Sequence, residues 1–162
     1  MKKSLLLLLP VFVLMVCGLS IAGNTATQTV TFEVQAIDEI SASGDPGALT
    51  VSTATAGSEP DAVTDNSTTY AVTTNGSNKK ITGEVDVAMP ANTTLQANLV
   101  APTGGTSAGD VTLTATAADL VTVITETAES GMTITYTFSA TVDAGILASD
   151  TRTVTLTLTD GS

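Results

Sequence analysis

The chain has 162 residues, of which 43% are hydrophobic, 13% charged and 3% aromatic, and its formal net charge is -11. Lys and Arg together number 5, too few to neutralise a phosphate backbone, so a nucleic-acid partner is excluded. No His and a single Cys exclude a zinc centre of the usual ligands, a disulfide framework and a His-dependent triad.

Residues 1–22 read as a secretory signal peptide. Lys2 and Lys3 precede the apolar run Leu5–Cys17, and Ser20-Ile21-Ala22 supplies the small residues of a cleavage site, placing the cut after Ala22. Val16 before Cys17 departs from the small residue that a lipoprotein signal places there. Cleavage removes Lys2, Lys3 and Cys17. It leaves residues 23–162 as one domain in which Lys79, Lys80 and Arg152 face all 16 acidic residues. Such a chain must hold itself together through its core alone, and at this size one core is feasible.

The remainder reads as β throughout. Gly23–Thr27 is a flexible leader. Val30, Phe32, Val34 and Ala36 then alternate with polar residues, which predicts a first strand over Thr27–Ala36. Ala48–Ser52 is a short strand, and Glu59–Asn66 is a polar loop. Thr68–Thr74 and Lys79–Val87 are strands joined by Asn75-Gly76-Ser77-Asn78, a strong hairpin signal that leaves Lys79 and Lys80 exposed. Strands follow at Thr93–Val100 and Val111–Thr116. Short helical turns are predicted over Ala117–Ile124 and Asp143–Ala148, with Ser130-Gly131 as a loop marker between them.

The clearest signal runs from Met132 to Val142, where Met132, Ile134, Tyr136, Phe138, Ala140 and Val142 alternate with Thr or Ser. The closing segment repeats it, with Val154, Leu156 and Leu158 between Thr153, Thr155, Thr157 and Thr159. About eight such strands, each apolar on one face and Thr-rich on the other, define an all-β chain. The expected fold is an antiparallel sandwich of immunoglobulin-like or jelly-roll type.

Candidate chemistry is sparse. The close carboxylate pairs, such as Glu84 with Asp86 and Glu126 with Glu129, come without the Trp platforms of sugar-cleaving sites, so no enzyme is expected. Glu59, Asp61 and Asp65 gather oxygen ligands in one loop, and calcium is the one metal that suits them. The Thr rows at 133–137 and 153–159 would form a flat hydroxyl array of the ice-binding kind if their strands were neighbours, although sheet twist works against such a lattice.

The terminal strands carry the functional expectation. Thr27–Ala36 contains one charge, Glu33, and Thr153–Thr159 contains none, so both lack the usual protection against pairing with another chain. Strand addition between copies does not close on itself and builds a filament. Val30, Phe32, Val34 and Ala36 form the expected donor face, and the expected partner is a second copy of the chain. An adhesin-like module that binds cell-surface glycans or proteins is the alternative.

The export signal, the Cys-free Thr/Ala/Val-rich body and the Thr153–Thr159 strand together resemble secreted prokaryotic β-sandwich surface proteins, the fimbrial, pilus-type and biofilm-fibre subunits. That resemblance implies an extracellular or cell-surface structural role, with no membrane contact after cleavage. No Leu-Pro-x-Thr-Gly tail is present, so covalent wall anchoring is not implied.

Overall fold

The computed structural model describes residues 23–162, so the expected signal peptide lies outside the described residues. The chain divides into two units, Met1–Glu33 and Val34–Ser162. In the first, residues 23–33 form neither helix nor strand. No described helix is long and apolar enough to cross a membrane.

The second unit is a two-sheet β-sandwich, as the period-two pattern predicts. Its strands are β1 (Asp38–Ala42), β2 (Val63–Thr74), β3 (Lys79–Val85), β4 (Thr93–Leu99), β5 (Thr106–Ser107), β6 (Val111–Thr112), β7 (Ala118–Ile124), β8 (Thr127–Ala140) and β9 (Val154–Asp160). One sheet has the order β1-β2-β8-β4-β6 and the other β5-β7-β3-β9, and every pairing is antiparallel. From β3 onward each strand changes sheet relative to the one before it. Only β1 and β2 pair with a sequence neighbour, so the fold rests on long-range ladders.

The core lies between the sheets. Tyr70 and Val72 of β2, Leu99 of β4 and Ile134 of β8 meet Ile81 of β3 and Leu120 of β7, all nearly inaccessible. Each fully buried side chain of this kind contributes about 1.5–3 kcal/mol. Gly83 belongs to this packing, because a Cβ there would run into Leu120 and crowd Leu113. The Tyr70 hydroxyl donates to the Val100 carbonyl at 2.7 Å, which satisfies its polar end. Burial, with the Glu129 charge adding to it, pushes that phenol up to about 12.

Several sequence expectations are corrected. Asn75-Gly76-Ser77-Asn78 joins β2 to β3, but these strands lie in different sheets, so the turn is an arch between layers rather than a hairpin. Ala117–Ile124 is no helical turn. It is β7, and its Leu120, Val121 and Ile124 mimic helical spacing because the strand is irregular. Its register with β3 shifts twice and Val123 sits at φ 60, so two adjacent residues both turn inward. The β8 strand starts at Thr127 and passes through Ser130-Gly131, with Gly131 at φ 75 where the register with β2 slips by one residue. The expected loop Glu59–Asn66 is strand from Val63 onward. Ala48–Ser52 is no strand, although Leu49 packs on the core, and Val111–Thr116 is strand only at Val111–Thr112. Of Asp143–Ala148, only a 3-10 turn over Val142–Ala144 forms. Thr27–Ala36, expected as the first strand, belongs to none.

Candidate functional site

The end of the sandwich at the Asn75–Asn78 arch fixes the point where the chain enters it. Asn75 holds that point with three hydrogen bonds. Its side chain donates to the Gln35 carbonyl at 2.8 Å and accepts from the Ile37 amide at 2.9 Å, while its own amide donates to the Ile37 carbonyl at 3.2 Å. Next to it, Lys79 of β3 donates to Asp38 at the start of β1, at 2.8 Å, and to Asp160 at the end of β9, at 2.6 Å. Lys79 hydrogen-bonding holds the Asp38 carboxyl below its ordinary value, with help from Thr74, whose hydroxyl donates to Asp38 at 2.6 Å. Hydrogen bonds to Asp160 and then Asp38 raise Lys79. The sequence suggested an exposed Lys79; the structure makes it the clamp between the first and last strands.

Upstream of Gln35 the alternating residues are bare. Val30 is 76%, Phe32 89% and Val34 80% exposed, which is unusual for three large apolar side chains spaced two apart. Ala36 is also exposed, but it sits between the two residues tied to Asn75 and belongs to the anchored stretch. The donor face expected from the sequence therefore reduces to Val30, Phe32 and Val34.

The sheets end in four edge strands of unequal size. Two of them, β5 and β6, are two residues long. The edge strand β1 has five residues and turns one apolar side chain, Ile40, partly inward. The last edge, β9, has seven. Its Val154, Leu156 and Leu158 pack on the core yet stay half-buried, and it has a ladder partner, β3, on one side only. It is a long edge, uncharged from Val154 to Thr159, as the sequence pattern indicated.

The calcium candidates are not brought together. The Glu59 carboxylate accepts from the Val142 amide at 2.7 Å and that of Asp61 accepts from the Thr53 hydroxyl at 2.9 Å. That of Asp65 accepts from both the amide and the hydroxyl of Ser67, at 3.0 and 2.7 Å, which holds it below its ordinary value. Among the described residues no three metal-ligating side chains gather. The two best-formed depressions are open, and Glu126 is the one carboxylate in their linings. The Thr rows do not merge either, because β8 and β9 lie in different sheets. No family model matches the chain, and neither the curated proteins nor the solved structures contain a match.

Sequence reasoning missed the Asn75 anchor and the Lys79 clamp. The Asn-Gly dipeptide reads locally as a turn, and nothing in it shows that its side chain holds a segment nearly forty positions upstream. The signal for Lys79 was the scarcity of cations, which makes any one of the three a natural partner for many acids.

Proposed function

We propose that this protein is an exported structural subunit that polymerises into an extracellular filament or surface layer, with the segment before β1 serving as a strand for the next copy. One observation carries the reading: Val30, Phe32 and Val34 keep strict strand alternation while lying exposed and outside every strand. A segment with that pattern has one apolar face to bury, and strand addition to another sheet buries it.

Magnitudes decide how it must be buried. Covering three such side chains contributes roughly 5–8 kcal/mol. Association costs about 4–15 kcal/mol. Side chains alone would barely hold two copies together. A backbone ladder adds about 1 kcal/mol per hydrogen bond, which favours pairing at a sheet edge over adhesion to an apolar patch.

The test is the variant with Val30, Phe32 and Val34 all changed to Ser. Its thermal unfolding should match the wild type, and it should stay monomeric where wild-type protein forms fibres in negative-stain micrographs. Fibres of unchanged length from the triple variant would remove the reading.

A further inference from the structure

We infer that the acceptor for this segment is the open side of β9 in a second copy, and that the incoming strand runs antiparallel to it. The inference rests on the strand-donor reading above.

The choice of edge follows from length, charge and exposed apolar area. A ladder needs several residues, which rules out β5 and β6 at two residues each. The β1 edge begins with Asp38 and Glu39 and offers Ile40 alone. By contrast, β9 carries no charge from Thr153 to Thr159 and leaves Val154, Leu156 and Leu158 half covered along one side of the sandwich. A strand laid beside it would place its own apolar residues next to these three. Thr27–Val34 spans about 26 Å when extended and β9 about 23 Å, so the lengths agree.

The direction follows from where the donor leaves its own sandwich. The anchored residues Gln35 and Ile37 lie at the Asn75 arch, beside the Lys79–Asp160 end of β9. An incoming copy can approach β9 from either end. If it comes from the Asp160 end, the two arches meet, the added strand is parallel, and the pair closes as a swapped dimer. If it comes from the Val154 end, the strand is antiparallel like every other ladder in the molecule, and the assembly stays open.

The Val154 end also has an exposed apolar surface for the arriving copy. There the Asp86 backbone amide donates to the Thr153 carbonyl and the Arg152 side chain to the Ala88 carbonyl, drawing together loops that carry Val87, Ile146 and Leu147 at the surface. Ile37, 43% exposed beside the arch, is what an incoming copy brings to it. Parity fixes the register to a small set: Val30, Phe32 and Val34 share a face with Val154, Leu156 and Leu158 only if even positions oppose even positions.

Disulfide trapping tests this in a Cys17→Ser background, where introduced thiols are the sole ones. Single variants are mixed in pairs, so that any bond is between copies, and each is first checked for wild-type thermal unfolding. Glu33→Cys should bond with Thr155→Cys or Thr157→Cys, and Thr29→Cys with Thr159→Cys. Glu33→Cys bonding instead with Thr159→Cys, together with Thr29→Cys bonding with Thr155→Cys, would mean the parallel dimer and overturn the inference. Fibres that form without any bond to β9, or with bonds to Thr112→Cys on β6, would overturn the acceptor while leaving the strand-donor reading in place. Failure of the Cys17→Ser parent itself to form fibres removes both.

Discussion

Two segments of this chain carry nearly the same pattern and meet different fates. Val30, Phe32 and Val34 alternate with polar residues before the sandwich, and Val154, Leu156 and Leu158 do so at its end. The first three are exposed, whereas the second three are half-buried in a strand that pairs with β3 over its full length, from Lys79 opposite Asp160 to Val85 opposite Val154. The difference lies in the partner. Alternation states which side chains a segment can bury, and a neighbouring ladder determines whether it buries them within the same chain. On the proposed reading the two halves of this comparison are the two sides of one joint, each supplying the neighbour the other lacks.

Substitutions that separate body from leader would sharpen that contrast, and the largest effect belongs to the body. Leu120→Ala opens a cavity over Gly83 and should cost about 2–5 kcal/mol, read as a lower denaturant midpoint at unchanged slope. Leu156→Ala, at a half-buried edge position, should cost about 1 kcal/mol in the isolated subunit and shorten fibres as well. Phe32→Ala should change subunit stability by less than about 0.5 kcal/mol, since an exposed side chain has little to lose, yet reduce assembly strongly. If Phe32→Ala destabilised the subunit as much as Leu156→Ala, the leader would be part of the fold and the contrast would fail.

How much of this the sequence made readable differs between strands. The stretch Met132–Ala140 was plain, because its inward residues are all apolar and its outward ones all Thr or Ser. Thr68–Thr74 was visible at its centre and hidden at its start, where Asp65 and Asn66 sit in the strand beside a register slip that leaves Asp65 bonding to Ser67. The helical reading of Ala117–Ile124 failed because a bulge alters the period locally, and a one-residue slip makes strand spacing resemble helical spacing. Strand order was beyond reach. Seven successive changes of sheet leave almost no local pairing to read, and the Asn-Gly turn that should have marked a hairpin marks a crossing between layers. Of the site, the charge-free final strand and the alternation of Val30, Phe32 and Val34 were legible, but the exposure of that alternation outside every strand was not, because the pattern alone predicted a strand there. The anchor at Asn75 was not, because a side chain that caps a distant segment has the same local sequence as one that caps its own turn.

The smallest expected effect concerns the clamp that joins the start of β1 to the end of β9. Lys79 ties Asp38, just after the leader, to Asp160, which ends β9. The Asp38 carboxyl is held below its ordinary 3.8, so its contribution is present above that value and is lost as pH falls through the depressed one. Lys79 is raised above its ordinary 10.5, so its contribution is complete below that value and is lost as pH climbs through the raised one. Between about pH 5 and 9 neither group changes charge, and the clamp is constant. Lys79→Met should therefore lower Tm by a small, flat increment across that window, small because surface ion pairs are worth little. The gap between variant and wild type should narrow in acid below about pH 4 and again in strong alkali. Salt should shrink it at neutral pH, because screening weakens exposed pairs. A gap that instead widened on acidification would mean that Asp38 gains nothing from Lys79, leaving the start of β1 to Asn75, the Thr74 hydroxyl and the β2 ladder.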